Sequence, residues 1–187
     1  DDVCETFEAT YEALQKAEFV VVQEAFGHTE TCAHADLLLP ASTWGEKEGT
    51  VTNSERAISR VRAAVSAPGE ARHDWAIVVD FARRLGIRLG KGELAARMFP
   101  YTTPEQIWNE HRESTRGRDL DITGLSYALL ETSGPRQWPF PEGATTGQVR
   151  LYEDGVFPTP SGRARFVATE HRITAESPNA RFPLHLN

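Results

Sequence analysis

VCETFEATYEALQKAEFVVVQE, residues 3–24, changes its periodicity half-way along. Val3, Phe7, Tyr11 and Leu14 recur at helical spacing, and then residues 18–24, EFVVVQE, run apolar without alternation. Helical spacing buries one stripe, whereas a short all-apolar run suits a strand covered on both faces. A helix followed by such a strand predicts a parallel sheet with helices packed on it.

Moving outward, AFGHTETCAHA (25–35) offers Gly27 for a turn and Thr29 or Thr31 to cap a short helix. DLLLP (36–40) then repeats the buried-strand pattern until Pro40 ends it, completing one β-α-β step. Residues 49–65, GTVTNSERAISRVRAAV, alternate Val51, Ile58 and Val61 with polar residues, which predicts extended or hairpin-like structure outside the core. HDWAIVVDFARRLG (73–86) predicts a helix that buries Trp75, Val78, Val79, Ala82 and Leu85, with Asp74 in its first turn and Gly86 at its exit. Pro104, after Thr103, predicts another helix over 104–114, and a shorter one is expected over 123–132. Residues 133–161 are rich in Pro and Gly and predict a surface path with few regular elements, before RARFVATE (163–170) reads as a strand.

The expectation is an α/β chain: part of a doubly wound, Rossmann-like parallel sheet, followed by a loop-rich, mixed α+β region. The boundaries expected are 1–100 for the second half of an α/β binding domain, 101–180 for the loop-rich extension, and 181–187 for the start of a further domain. With no initiator Met, and with ARFPLHLN reading as a strand that has only begun, the chain reads as a piece of something larger.

A length of 187 residues with 40% hydrophobic and 25% charged content suits one soluble domain, able to bury roughly 70% of its unfolded surface. The net charge of -7 excludes a general nucleic-acid binder, whose basic footprint must outweigh phosphate repulsion. No apolar run approaches the ~20 residues that span a bilayer, and the opening DDVCETFEAT is acidic where a secretory signal is basic and then apolar. A cytoplasmic protein with no membrane partner is therefore expected. Cys4 and Cys32 make neither a disulfide framework nor a zinc pattern, so reduced thiols are the default.

Ligands of α/β sheets sit outside the carboxyl ends of the strands. Gln23 and Glu24 are at such an end, where an acidic group accepts bonds from ribose hydroxyls, but no GxGxxG precedes them and a nicotinamide reading fails. Lys47 lies beyond the second strand, beside Gly49, Thr50, Thr52 and Asn53; the same residues also suit a solvated turn. Asp74 fits either a ligand contact at the same edge or a plain helix-start charge. His28, Cys32, His34 and Asp36 all carry metal-ligating groups, but the spacing H-x3-C-x-H-x-D matches no common site and favours a capped surface loop. No local signature of a catalytic triad is present.

Taken together, T-E-T (29–31), A-D-x-x-L-P (35–40), W-x-E-K-x-G-T-x-T-N-x-E-R (44–56) and P-G-E-A-x-x-D-W (68–75) closely resemble the molybdopterin oxidoreductases of the dimethyl-sulfoxide-reductase type. GRDLDITGLSYALLETSGPRQWPFPEG and RLYEDGVFPTPSGRARF look most like the assimilatory nitrate reductases within that family, although formate dehydrogenases share the QWP turn. The resemblance covers essentially the whole chain, while the chain covers only part of such an enzyme. It implies a molybdenum bis(molybdopterin guanine dinucleotide) cofactor, with the 4Fe-4S cluster and the metal-ligating residue in an N-terminal part not present here. It also implies nitrate as the substrate of the complete enzyme, an electron donor that the residues do not identify, and no activity for this chain alone. Family contacts to the cofactor map onto Gln23, Glu24, Lys47 and Asp74. Relatives often have a small polar residue and then Asp at the strand end, so the longer Gln23-Glu24 pair is a departure. A formate dehydrogenase, or a non-catalytic structural module that kept the fold, are the competing expectations.

Overall fold

A computed structural model describes residues 2–172, 174 and 177–184, with side chains described from residue 8 onward. By compactness the chain divides into two units, residues 1–149 and 150–187. In the first unit, helix α1 (Asp2–Lys16) leads into strand β1 (Val21–Glu24), and β2 (Leu37–Pro40) pairs with it in parallel, Val21 opposite Leu37 and Glu24 opposite Pro40. The crossover between them is a three-ten turn, Thr31–His34.

The fold is a mixed α/β one with small sheets, and among the described residues the parallel sheet is a pair. A doubly wound sheet covered on both faces is thus not what these residues form: Val21, Leu37 and Leu38 remain 49%, 43% and 37% exposed. The reason is that the apolar run has a neighbour on one edge only, and its side chains meet little that would cover them.

The second sheet is antiparallel. Strands β3 (Gly49–Thr52) and β4 (Ala57–Val61) form the hairpin read from the alternation, with Thr52 opposite Ile58, and β5 (Arg136–Gln137) adds to the far edge of β4. Asn53 closes the turn by accepting from the Glu55 and Ala57 N–H groups through Oδ1, both at 3.0 Å. Arg56 takes the left-handed conformation, φ 67°. Its guanidinium donates to the carbonyls of Trp138, Gln148 and Val149, which offsets the backbone strain of a non-glycine residue there.

This hairpin was expected outside the core, and Ile58 corrects that expectation. It is 2% exposed and clusters with Trp108, Ile122, Leu125, Tyr127, Leu130 and Phe140. Helices α4 (Pro104–Ser114) and α5 (Tyr127–Ser133) supply Trp108, Tyr127 and Leu130. Helix α4 begins with a capping box, Thr103 with Gln106, and Pro at its start, where a missing N–H removes no helical bond. Trp108 Nε1 donates to Leu125 O at 3.1 Å, so the core's largest ring is also hydrogen-bonded. Phe140, in the Pro-rich stretch read as a surface path, is 2% exposed because its N–H donates to Asp121 O at 2.7 Å and its carbonyl accepts from Gly124 at 2.9 Å.

Helix α2 (Asp74–Arg88) buries Ile77, Val79 and Gly86 instead of the whole predicted stripe; Val78 and Leu85 are 53% and 44% exposed. The rotation follows from helix α3 (Gly92–Met98), which the sequence reading missed. Gly86 lets α3 approach so closely that a Cβ there would stand 2.2 Å from that of Ala95.

In the second unit Phe157 donates its N–H to Gly162 O at 3.0 Å, and the rings of Tyr152 and Phe157 lie 5.0 Å apart. RARFVATE carries no regular secondary structure and pairs with no strand among the described residues, correcting the strand expectation; a segment without a partner has no ladder to belong to. Of the expected strand start ARFPLHLN (180–187), residues 180–184 form no strand, which corrects that expectation there, and residues 185–187 lie outside the described residues, as does the side chain of Cys4.

Candidate functional site

The carboxyl ends of β1 and β2 and the segment leading into α2 are joined by backbone hydrogen bonds. Ala41 N donates to Glu24 O (3.0 Å), Arg72 N to Pro40 O (3.0 Å) and Ser42 N to Arg72 O (2.9 Å), so Ala41 bridges to Arg72 in parallel fashion. Ala41 and Ser42 are 6% and 2% exposed, which shields these bonds from water.

Just after this seam a three-ten turn, Trp44–Glu46, is fixed by a capping box. Thr43 accepts from the Glu46 backbone, and the Glu46 carboxylate accepts from Thr43 N at 2.9 Å. The turn delivers Lys47 toward the start of α2. Its Nζ lies 2.9 Å from Asp74 Oδ2, and Gln23 Nε2 donates to Asp74 Oδ1 at 2.8 Å. Three of the four sequence-predicted residues, Gln23, Lys47 and Asp74, therefore meet in one cluster, from three elements. Glu24 does not join it: its Oε1 accepts from the Ala25 and Phe26 N–H groups at 2.7 and 3.3 Å, capping its own turn.

The Asp74 carboxyl is pushed upward by burial, but hydrogen bonds from Lys47 and Gln23 and the nearby ammonium charge outweigh that, and its pKa lies below the ordinary aspartate value. Both side chains of the ion pair remain partly open, Lys47 26% and Asp74 49% exposed. The cluster thus presents an ammonium, a carboxylate and an amide at a sheet edge, a set that suits an anionic ligand bearing N–H or hydroxyl groups.

Four other polar side chains of residues 45–56 serve the fold. Glu46 caps, Glu48 stands 3.4 Å from Arg60, Asn53 closes the hairpin and Arg56 ties it to residues 138–149. Arg60 is 9% exposed, with its guanidinium 3.9 Å above the Tyr127 ring and Gly49 O as acceptor at 3.0 Å. A mid-strand Arg gave no sign of this inward role.

Sequence reasoning also passed over Trp44, whose ring centroid lies 5.2 Å from Lys47 Nζ. A large apolar residue next to the Glu-Lys pair was the available signal. His28, Cys32, His34 and Asp36 disperse: Asp36 accepts from Val20 N at 2.7 Å, His34 meets Tyr11 edge-on at 4.8 Å, and Thr29 Oγ1 donates to Cys32 Sγ at 3.0 Å. Among the described residues no group of three or more potential metal ligands converges.

A separate apolar hollow of about 480 Å³ lies between β3 and α4, bordered by Ile58, Trp75, Trp108, Tyr127 and Trp138. It holds none of the four predicted residues. Its lining is mainly apolar.

Residues 5–84, the segment that builds this strand-end cluster, match the family model for molybdopterin oxidoreductases. That segment carries a molybdopterin oxidoreductase domain. The chain is 39% identical over 93% of its length to the assimilatory nitrate reductase catalytic subunit of Bacillus subtilis, of which it spans 23%. It is 38% identical over 93% of its length to the F420-dependent formate dehydrogenase subunit alpha of Methanocaldococcus jannaschii, of which it spans 24%. The chain thus spans less than a quarter of the length of these relatives. In structure it resembles the acetylene hydratase of Pelobacter acetylenicus, with a TM-score of 0.54, 22% identity, and coverage of 83% of this chain and 19% of that one. At that identity the likeness speaks for the fold alone. Among the described residues no helix is long and apolar enough to cross a membrane.

Proposed function

We propose that this chain supplies one wall of the site for a molybdopterin guanine dinucleotide, within a cytoplasmic molybdenum oxidoreductase that reduces nitrate to nitrite. The observation that carries the reading is the meeting of Gln23, Lys47 and Asp74 at the strand ends across separations of up to 51 residues. The donor set fits such a ligand. Lys47 offers positive charge to a diphosphate, while Asp74 and Gln23 offer acceptor and amide groups to a base or ribose edge. Glu24 is assigned to the same wall, its carboxylate holding the turn that follows β1 in place.

When bound, the molybdenum cofactor supplies the two-electron chemistry, in which nitrate, two protons and two electrons give nitrite and water. This chain's residues bind and orient; none of them is assigned a proton transfer. The 4Fe-4S cluster, the metal ligand, the electron donor's docking site and the remaining strands of a doubly wound sheet belong, in this reading, to the rest of the protein. The exposed faces of β1 and β2 are consistent with such a continuation. By itself the chain is expected to be inactive.

The second reading is formate oxidation on the same kind of cofactor, favoured by the likeness to the archaeal formate dehydrogenase. The test is to express the complete protein, measure molybdenum, iron and guanine nucleotide, and assay nitrate reduction against formate oxidation. Cofactor with nitrate turnover supports the first reading and formate turnover alone the second. A cofactor-free, inactive protein points to a structural module.

A further inference from the structure

The turn ahead of Lys47 leaves a large aromatic ring outside. Trp44 is 63% exposed, although its backbone is held from several directions. Gly45 O accepts from Ala64 N at 2.8 Å and from Val65 N at 3.1 Å, the Thr43–Glu46 capping box closes the turn itself, and Ser42 is bonded to Arg72. A rigidly mounted indole loses little conformational freedom when a flat partner covers it, which is what makes Trp an effective stacking surface. Lys47 Nζ stands over the ring at 5.2 Å and is itself 2.9 Å from Asp74, so the ring is an immediate neighbour of the polar cluster.

Resting on the reading that this cluster binds the cofactor's nucleotide, we propose that Trp44 is a stacking platform for a planar heterocycle of that ligand. The ammonium lies on one face of the indole and the heterocycle takes the other. Cation–π attraction and ring stacking then act on the same side chain, and the charge next to the ring also meets the ligand's phosphates. Purine-type bases and pterins share the required chemistry: a flat, polarisable ring with N–H groups at its edge.

The test uses the complete protein produced without molybdenum cofactor, titrated with guanosine diphosphate and, separately, with a pterin that lacks a nucleotide. Trp44→Leu, Trp44→Phe, Lys47→Ala and Asp74→Asn are compared with the parent, and melting curves confirm that each is folded. Trp44→Leu is expected to weaken binding of one of the two probes by about fivefold or more, with Trp44→Phe retaining most of the affinity. The probe that responds identifies the stacked ring. Unchanged affinity of Trp44→Leu for both probes, with Lys47→Ala and Asp74→Asn weakened, overturns the stacking role and leaves the cluster reading standing. If no variant changes the affinity for either probe, or the parent binds neither, both fail.

Discussion

Replacing Lys47 by Ala separates what this residue does for the fold from what it does for a ligand. In the free protein it contributes one ion pair to Asp74, with side chains 26% and 49% exposed, and a cation–π contact with Trp44 at 5.2 Å. A partly exposed pair contributes about 0–1 kcal/mol and an exposed cation–π contact about 0.5–1 kcal/mol. Asp74 also keeps its bond from Gln23, so no carboxylate is left unpartnered. The cofactor-free protein should therefore lose about 0.5–2 kcal/mol, a midpoint shift of at most roughly 1–8 °C, the range for a unit of about 150 residues. The loss to the ligand is larger. A hydrogen bond to a charged group is worth about 1.5–3 kcal/mol, which corresponds to a roughly 10- to 150-fold rise in dissociation constant. Parent and variant complete proteins, loaded with cofactor and desalted alike, would be assayed for retained guanine nucleotide and, in the cofactor-free form, for thermal midpoint. Equal retention in both would refute the argument. So would a midpoint that collapses by much more than about 10 °C, since Lys47 would then be a structural residue first.

Four further outcomes are expected. Gly147→Ala should destabilise by about 1–3 kcal/mol in denaturant unfolding, because its Cβ would sit 2.1 Å from Gln137 O and 2.8 Å from Gln137 C. Gly45→Ala, which meets nothing within 4 Å, should stay within about 0.5 kcal/mol of the parent. Leu125→Ala, at 0% exposure in the β4–α4–α5 core, should cost about 2–5 kcal/mol by the same measurement. The last concerns acid. Since the folded-state pKa of Asp74 is lowered, its stabilisation is fully present above the ordinary aspartate value and fades as pH falls through the folded value. The stability gap between parent and Asp74→Asn should then be constant near neutrality and close in strongly acidic solution; a gap that widens on acidification would contradict the lowered pKa.

Much of the fold could be read from local pattern where local pattern decides. Helix 104–114 needed only Thr103 and Pro104 to mark its start, and the parallel pairing of 21–24 with 37–40 followed from two apolar runs and a short connection. What escaped was set by partners distant in sequence. Trp75, Val78 and Leu85 fit an amphipathic stripe, but Gly86 turned another face of α2 toward Ala95 of a helix with no capping side chain to announce it. Ile58 looked like an alternating surface position until Trp108 and Phe140, far along the chain, closed over it. At the site, strand-end position and the family resemblance pointed to Gln23, Glu24, Lys47 and Asp74 as a set. That Glu24 would fold back onto its own turn depends on backbone direction after β1, which no spacing rule encodes.

The backbone seam joining Glu24, Ala41 and Arg72 has an implication for how this segment tolerates change. Because main-chain atoms, and not the residues between Lys47 and Asp74, hold the lysine's turn beside the aspartate's helix, the hairpin between them is free to vary in length at its tip. An insertion near Ser54 would be felt by the packing around Ile58 and by the grip of Arg56, yet the spacing of the ammonium and carboxylate would stay as it is. Architecture of this kind separates the part of a chain that evolution can lengthen from the part it must leave alone.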